Sequence, residues 1–290
     1  MKYAYYPGCS IQGTGRAYEE SLLPVLKELN IDFEELEDWN CCGATAYMSV
    51  DEIKSCVLAS RNFALAEKFG YAEIMAPCSA CYLVLNKAQK YIETSKPVAE
   101  TVEKALSSAN LKMTKKIKVR HPIDILLNDI GLEKIKQHVK RPLKEFKVAT
   151  YYGCQLVRPY STFDDQYNPT SMDRILKALG ATVVYFPIKT RCCGSSLTGT
   201  LPEPGLFCAY IILKEAIKRG ANVISTACPL CQFNLDGYHD KIEKKWGNVR
   251  IPTLYFTQLM GLAFGISEEE LGINRCIIPL NIQSNQTVSA

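Results

Sequence analysis

The chain has 290 residues, of which 47% are hydrophobic, and a formal net charge of +4. This length predicts about two globular domains, and the hydrophobic content is that of a protein with a folded core. The start, MKYAYYPGCSIQGTGR, has no uninterrupted apolar region of signal-peptide length, and the longest membrane-like run, LYFTQLMGLAFGI at 254–266, is too short to span a bilayer. We therefore expect a cytoplasmic protein without membrane insertion.

The positive charge is concentrated in one segment. Residues 112–147 carry eleven Lys and Arg against four Asp and Glu. Aromatic side chains, on which the bases of a single-stranded nucleic acid would stack, do not alternate with these cations. We interpret the segment as a solvated helical surface or linker that binds no nucleic acid. A contact surface for a partner protein is the alternative.

Strands and helices alternate along the sequence. In the first half we predict strands at 2–6, 31–38 and 72–77 and helices at 16–30, 50–69 and 82–110. In the second half we predict helices at 171–179 and 203–219 and strands at 182–188 and 222–227. Near the end of each half, at 121–131 and 251–265, a proline precedes an apolar stretch that we interpret as a helix. This order is typical of an α/β fold with parallel sheets.

Ten of the thirteen cysteines form two sets of five with nearly the same spacing. Each set begins with a lone cysteine, continues after 31 or 37 residues with Cys-Cys-Gly, and ends after 34 or 33 more with Cys-x-x-Cys. The first set is Cys9, Cys41, Cys42, Cys78 and Cys81, and the second set is Cys154, Cys192, Cys193, Cys228 and Cys231. We infer an internal duplication with domains at 1–145 and 146–290.

The cysteine groups follow predicted strands. Ligands of a parallel α/β sheet gather outside the carboxyl ends of the strands, so the three groups of each half should converge on one site. Helices that begin there would offer their N-terminal N–H groups to anionic sulfur atoms.

Three kinds of site can use these cysteines. A zinc ion takes four ligands in a tetrahedron, so five cysteines exceed its need. A thioredoxin-like reading of the two Cys-x-x-Cys motifs leaves three cysteines of each half without a role. An iron–sulfur cluster uses all five more naturally, because several irons share the ligands. Vicinal cysteines lie only about 3.8 Å apart at Cα, which disfavours a disulfide between them.

The cysteine pattern resembles the cysteine-rich CCG domain. The flanks YYPGCS and DWNCCGA are similar to the tandem form of that domain in the family of the B subunit of heterodisulfide reductase from methanogenic archaea. The resemblance implies two pseudo-symmetric Rossmann-like domains, each with a noncubane 4Fe–4S cluster held by its five cysteines at the strand carboxyl ends. It also implies an activity, the reduction of the mixed disulfide of coenzyme M and coenzyme B to two thiols in the energy metabolism of methanogenesis. The clusters themselves would be the catalytic groups. The alternative is an iron–sulfur electron-transfer subunit of a lactate, glycolate, succinate or fumarate oxidoreductase, where related chains occur.

Motifs for other redox groups are missing from the sequence. Neither a G-x-G-x-x-G fingerprint for flavin or NAD nor the C-x₂-C-x₂-C-x₃-C-P run of ferredoxin clusters is present. Electrons must therefore arrive through partner proteins. By resemblance, these partners are the ferredoxin-like C subunit and the flavin-containing A subunit of heterodisulfide reductase, together with a hydrogenase or another electron donor.

Two cations directly precede the second vicinal pair. Lys189 and Arg191 are candidates for binding the anionic groups of the substrate that the resemblance implies. The alternative is that they balance the charge of a thiolate-ligated cluster.

The remaining cysteines and histidines have no predicted part in the chemistry. Cys56, Cys208 and Cys276 lie outside the repeated pattern, and we predict that they are structural. The three histidines are His121, His138 and His239, and we expect His121, which precedes a proline, to act in capping or packing.

Overall fold

A computed structural model describes residues 2–44, 46–160 and 162–281. The strands are β1 (Tyr3–Tyr5), β2 (Phe33–Glu35), β3 (Glu73–Met75), β4 (Lys118–Arg120), β5 (Lys147–Tyr151), β6 (Thr182–Val183), β7 (Val223–Thr226) and β8 (Thr253–Tyr255). The first-half helices are α1 (Arg16–Glu28), α2 (Ala46–Val50), α3 (Glu52–Lys68), α4 (Ser79–Thr94), α5 (Lys96–Ser108), α6 (Pro122–Ile125) and α7 (Leu132–Gln137), with a π-helical turn at Leu126–Ile130. The second-half helices are α8 (Ser171–Ala178), α9 (Ser195–Thr198), α10 (Pro202–Lys218), α11 (Pro229–Asp236), α12 (His239–Trp246) and α13 (Phe256–Ala263), with a 3-10 turn at Ile273–Arg275.

Each half forms its own parallel sheet. Among the described residues, the strand orders are β2-β1-β3-β4 and β6-β5-β7-β8, with four strands in each sheet. All paired strands are parallel. The order is the same in both halves, because the strand before the lone cysteine pairs with the two strands that precede the other motifs. The predicted α/β fold of two pseudo-symmetric parallel-sheet halves is confirmed.

The main hydrophobic core contains side chains from both halves of the chain. One cluster of buried side chains extends from Tyr3 to Ile273, and a smaller cluster lies within the second half. Helix α1 buries one face against α13. Its Tyr18 stacks on Tyr255, the last residue of β8, at a centroid distance of 4.4 Å and an interplanar angle of 8°. The halves are therefore docked through aromatic side chains. Division into domains at 1–145 and 146–290 remains our proposal, supported by the placement of one whole sheet on each side of residue 145.

Several predicted elements differ from the structure. The strands predicted at 31–38 and 182–188 are much shorter, because the chain leaves the sheet and forms a loop that leads to each vicinal pair. The predicted helix at 82–110 is divided at Ser95, where the backbone is extended. Pro122 is the first residue of α6, whereas Pro252 precedes strand β8. The prediction that a helix directly follows Pro252 was wrong, because residues 253–255 pair with β7.

The basic segment 112–147 is folded and includes β4, α6 and α7. Most of its lysines are exposed. Arg120 is buried instead, in ion pairs with Asp124, with Glu73 at 3.3 Å and with Asp129 at 2.9 Å. Across the described ranges, no helix is long and apolar enough to cross a membrane.

Candidate iron–sulfur site

The five cysteines of the first half form one connected series of sulfur atoms. Cys9 Sγ lies 3.6 Å from Cys41 Sγ, and Cys42 Sγ lies 3.4 Å from Cys81 Sγ. Hydrogen bonds between thiols join Cys41 to Cys42 and Cys81 to Cys78. The series runs from the exposed Cys9 to the buried Cys78. The three motifs of this half therefore lie side by side, with one end open to solvent and the other in the core.

The second half repeats this arrangement. Cys193 Sγ lies 3.4 Å from Cys231 Sγ, and hydrogen bonds join Cys154 to Cys192, Cys192 to Cys193 and Cys231 to Cys228. Cys192 is exposed, Cys154 is half-buried and the other three are buried. The second set therefore also has an outer end near solvent and an inner end in the core.

The two series meet at their inner ends. The thiols of Cys78 and Cys228 lie close enough to shift each other's pKa, which is raised for Cys78 and lowered for Cys228, so the ten sulfur atoms make one continuous series across both halves. Ser79 Oγ donates to the Ala227 carbonyl at 3.0 Å beside this contact. The His121 ring also contacts the carbonyls of Pro77 and Ala227, which immediately precede the two inner cysteines. The two candidate sites are therefore neighbours.

The loops that follow the lone cysteines cross between the halves. An added Cβ on Gly15 would lie 2.8 Å from Pro229 Cβ, so the first loop contacts helix α11 of the second half. The loop after Cys154 contacts α4 of the first half, where the Tyr82 hydroxyl forms a hydrogen bond with Thr162. Each half thus covers part of the other half's Cys-x-x-Cys helix.

Backbone groups hold the vicinal pairs in place. The Tyr6 hydroxyl donates to the Asn40 carbonyl at 2.8 Å, and the Tyr151 hydroxyl donates to the Arg191 carbonyl at 2.6 Å. Asn40 and Arg191 directly precede the two vicinal pairs, so each tyrosine ties a strand end to its pair. Sequence reasoning missed these tyrosines, although both lie in the repeated YYPGC and YYGC stretches three residues before the lone cysteine.

Two glycines leave room for sulfur. Gly8 has φ +75°, and an added Cβ would lie 2.8 Å from Cys81 Sγ. Gly153 has φ +68°, and an added Cβ would lie 3.1 Å from Cys231 Sγ. A side chain at either position would enter the space of a candidate ligand, which explains why glycine precedes each lone cysteine.

Amide N–H groups and shared protons stabilise the sulfur atoms. Gly43 and Gly194 amides donate to Cys41 Sγ at 3.4 Å and to Cys192 Sγ at 3.3 Å. Hydrogen bonds from neighbouring thiols lower the pKa of three cysteines and raise the pKa of their donors. The lowered set is Cys42, with Cys41 as the main donor; Cys192, to about 2, with Cys154 as the main donor; and Cys228, with Cys231 as the main donor. Thiolate is the form that binds metals, and metal binding would displace the protons these thiols share.

The arrangement suits several metal atoms better than one. Five cysteines in each half exceed the four ligands that one zinc ion takes. The sulfur atoms form an extended series, with Sγ atoms 3.4–3.6 Å apart in the Cys9–Cys41, Cys42–Cys81 and Cys193–Cys231 pairs. Five thiols with amide donors therefore fit an iron–sulfur group, in which irons share the ligands, better than one tetrahedral zinc ion.

The two cations predicted to bind substrate lie in different environments. Lys189 is buried, and its Nζ donates to the Pro169 carbonyl at 2.6 Å and forms an ion pair with Asp173 at 3.1 Å. The Arg191 side chain is exposed, next to Cys192. A substrate role for either residue stays a prediction, and the charge of Lys189 is already offset by a carboxylate.

A third cation near the second set was missed. Arg158 follows Cys154 by four residues, and its guanidinium donates to the Thr190 carbonyl, two residues before Cys192. Its charge contributes to the low pKa of Cys192, after the larger effect of the thiol hydrogen bonds. Its spacing from the lone cysteine was the available signal, but the first half has Gly13 at that position and the repeat did not identify the arginine.

The predictions for His121 and the remaining cysteines can be compared with their surroundings. His121 caps α6 by accepting the Ile123 N–H at Nδ1, and burial lowers its pKa to about 4. Its two ring nitrogens are occupied, as expected for a capping and packing residue. Cys56 is buried, whereas Cys208 and Cys276 are partly buried. These surroundings are compatible with structural roles.

Comparison with known families agrees with the repeated cysteine pattern. A family described as a cysteine-rich domain, CCG, matches residues 3–86 and 148–236, which together make up more than half of the chain. The chain belongs to the CCG cysteine-rich domain family. The two matches begin at or next to β1 and β5 and extend past each Cys-x-x-Cys motif. The internal duplication is therefore a tandem of CCG domains.

Several relatives are similar to the chain over nearly their whole length. An 8-methylmenaquinol:fumarate reductase membrane anchor subunit from Wolinella succinogenes is 34% identical over 280 residues, covering 96% of this chain and 97% of the relative. A protein from Archaeoglobus profundus, named as similar to the B subunit of heterodisulfide reductase, is 30% identical, with 96% and 95% covered. The B subunit of ferredoxin:CoB-CoM heterodisulfide reductase from Methanosarcina mazei is 29% identical, with 94% and 93% covered.

A solved structure shares the fold. A hypothetical protein from Helicobacter pylori aligns with a TM-score of 0.77 at 16% identity, covering 97% of this chain and 53% of that chain. This chain therefore spans about half the length of that protein, and the likeness concerns the fold alone.

Proposed function

We propose that this chain is an oxidoreductase subunit that holds two noncubane 4Fe–4S clusters and reduces the coenzyme M–coenzyme B heterodisulfide to two thiols. The observation that carries the proposal is the continuous line of ten cysteine sulfurs through the contact of Cys78 with Cys228. Relatives named after the B subunit of heterodisulfide reductase, at 29–30% identity over most of their length, support the substrate.

The ligand sets are the two repeated groups. We assign Cys9, Cys41, Cys42, Cys78 and Cys81 to one cluster and Cys154, Cys192, Cys193, Cys228 and Cys231 to the other. When bound, such clusters supply single electrons, and two neighbouring clusters supply the two electrons that cleavage of one disulfide requires. No motif cysteine is replaced in either half, which supports two complete sites.

The chain's own residues would control access and charge. Cys9, at one outer end, and Cys192, next to the other outer end at Cys154, are exposed, whereas the inner cysteines are buried, so substrate or a partner protein reaches the sites from the outer ends. Arg158 and Arg191 place positive charge beside the second outer end. That charge would attract the sulfonate, phosphate and carboxylate groups of the two coenzymes.

The chain would work as one component of a complex. Relatives are named as subunits of heterodisulfide reductases, which supports partners in general. We propose the ferredoxin-like C subunit and the flavin-containing A subunit as those partners, with a hydrogenase or another donor supplying electrons in the cytoplasm. The exposed lysines of 112–147 are a candidate contact surface for them.

Cofactor analysis followed by turnover tests the proposal. The complex is purified anaerobically and analysed for iron, acid-labile sulfide and zinc, and reduced viologen is then supplied with the heterodisulfide. We expect about eight irons per copy of this chain beyond those of its partners, on the basis of two four-iron groups, and the release of two thiols. Zinc without sulfide would overturn the cluster assignment, and intact clusters without thiol release would overturn the substrate.

A second function has its own support. The relative from Wolinella succinogenes, named as part of an 8-methylmenaquinol:fumarate reductase, is 34% identical across 280 residues. The chain would then transfer electrons between a quinol and fumarate within a complex. Quinol-driven fumarate reduction by the complex, unaffected by added heterodisulfide and lost on substitution of Cys42, would favour this function over disulfide reduction.

A further inference from the structure

The two candidate sites differ in the charge that surrounds their outer ends. Next to the second set, the Arg158 amide donates to the Cys154 carbonyl at 3.0 Å, and its guanidinium donates to the Thr190 carbonyl. The side chain therefore spans from the loop of the lone cysteine to the loop before the vicinal pair. Its acceptor there is a neutral carbonyl, so that contact leaves the positive charge of Arg158 uncompensated.

The first set has no equivalent cation at that position. Gly13 follows Cys9 by four residues, as Arg158 follows Cys154. The loop before the first vicinal pair carries Asp38 instead, in an ion pair with Arg61 at 2.5 Å. The loop before the second vicinal pair has an ion pair of its own, Lys189 with Asp173.

Two cations near the second set then have no counterpart in the first half: Arg158, where that half has Gly13, and Arg191, where it has Asn40. Arg158 is half-buried and its side chain is held at the Thr190 carbonyl, whereas Arg191 is exposed, so solvent screens the charge of Arg191 more strongly.

We propose that Arg158 makes the group bound by the second cysteine set easier to reduce than the group bound by the first set. The inference rests on the proposed function, since it requires an iron–sulfur group at each site. Addition of an electron increases the negative charge on the sulfur-ligated group, and a nearby positive charge stabilises that state. Because Arg158 is half-buried, salt screens this interaction less than it screens an exposed pair.

The consequence is a direction for electron flow within the chain. A one-electron donor such as reduced viologen loses one electron, and at equilibrium that electron resides preferentially on the second group. A charge held by a neighbouring loop should change the ratio of reduced to oxidised group by about tenfold, which corresponds to about 59 mV for a one-electron couple. Arg158 would thus act on the reduction potential of the second group through its charge, held in place by the Thr190 carbonyl.

Redox titration of four variants in the anaerobically purified complex tests the inference. R158Q removes the charge, and R158K keeps it. R174Q is the matched control, because it removes the same charge from an exposed position in the same half. G13R adds the charge to the first set, where an added Cβ would meet nothing closer than 3.9 Å and φ is not positive.

The expected result is specific for each variant. Wild-type protein should show two components by electron paramagnetic resonance, separated in potential. R158Q should lower only the higher component, R158K and R174Q should leave both nearly unchanged, and G13R should raise only the lower component. If R158Q fails to retain its cluster, the inference is tested by G13R alone: a raised potential of the lower component supports it, and an unchanged potential overturns it.

Contrary results separate this inference from the proposed function. Protein that contains zinc and no acid-labile sulfide overturns the proposed function and this inference with it. Protein with both clusters, in which R158Q behaves like R174Q or G13R moves neither component, overturns the assignment of Arg158 and leaves the clusters in place.

Discussion

A methyl group added next to one sulfur atom should remove one cluster and spare the other. In a Gly8→Ala variant, the new Cβ would lie 2.8 Å from Cys81 Sγ. Heavy atoms in contact prefer about 3.5–4.0 Å, so the sulfur must move by close to 1 Å. Metal–ligand distances tolerate only about 0.2 Å, and we therefore expect loss of the first cluster. Gly153→Ala, at 3.1 Å from Cys231 Sγ, requires a smaller shift and should cause milder loss at the second site.

The control for this prediction separates backbone strain from the sulfur contact. Gly70 has φ +81° and no heavy atom within 4 Å of an added Cβ. Gly70→Ala should therefore carry only the left-handed strain of about 1–2 kcal/mol, with both clusters intact. Iron and sulfide content, the paramagnetic resonance spectrum and the thermal unfolding midpoint are measured for each variant. Equal iron content in the Gly8 and Gly70 variants would refute the reasoning.

Three further predictions follow from other contacts. Cys42→Ala should remove only the first cluster. Cys78→Ala, next to Cys228 of the second set, should also change the paramagnetic resonance spectrum of the second cluster. Identical effects of the two substitutions on the second cluster would contradict this prediction. Lys189→Met leaves the partly buried Asp173 carboxylate with the Tyr152 hydroxyl as its remaining side-chain donor and should destabilise the chain by about 1–3 kcal/mol. Asp173→Asn should restore part of that stability, as measured by denaturant unfolding; a change confined to KM would instead favour substrate binding. Burial lowers the pKa of His121 from 6.5 to about 4. The free energy of unfolding is therefore unaffected by this group above pH 6.5, and it falls by about 3 kcal/mol as the pH falls from 6.5 towards 4, because the unfolded chain binds the proton first. In the His121→Gln variant, the free energy of unfolding should lose this part of its pH dependence between pH 6.5 and 4. The same pH dependence in the variant and the wild type would contradict the prediction.

The repeated part of the molecule was the predictable part. Strands that precede cysteine motifs in both halves identified the parallel sheets, since the same pattern occurs twice in one chain. Element ends were less predictable, because β6 keeps only Thr182 and Val183 in the sheet before the loop to Cys192 begins. Local propensity does not show where a strand loses its neighbour, which is a property of the assembled sheet.

Contacts between the halves could not be predicted from either half alone. Cys78 and Cys228 meet beside Tyr18 of α1 and Tyr255 of β8, whose stacked rings join the two halves. The environment of Lys189 was also missed, although its partner Asp173 lies in the same half, because the two residues are 16 positions apart and are brought close only by folding. A cation beside a motif in sequence is therefore weaker evidence for a substrate site than its spacing suggests.

Duplication within one chain gives this scaffold a freedom that a symmetric dimer lacks. In a homodimer with twofold symmetry, the same residue occupies equivalent positions at both sites. Here Gly13 and Arg158 occupy equivalent positions after the lone cysteines, so two sites with nearly the same ligands can differ in charge. Under the proposed function, the substrate is an unsymmetrical disulfide whose two sulfur atoms belong to different coenzymes. Two adjacent sites with the same cysteine geometry and different electrostatics match such a substrate better than two identical sites would.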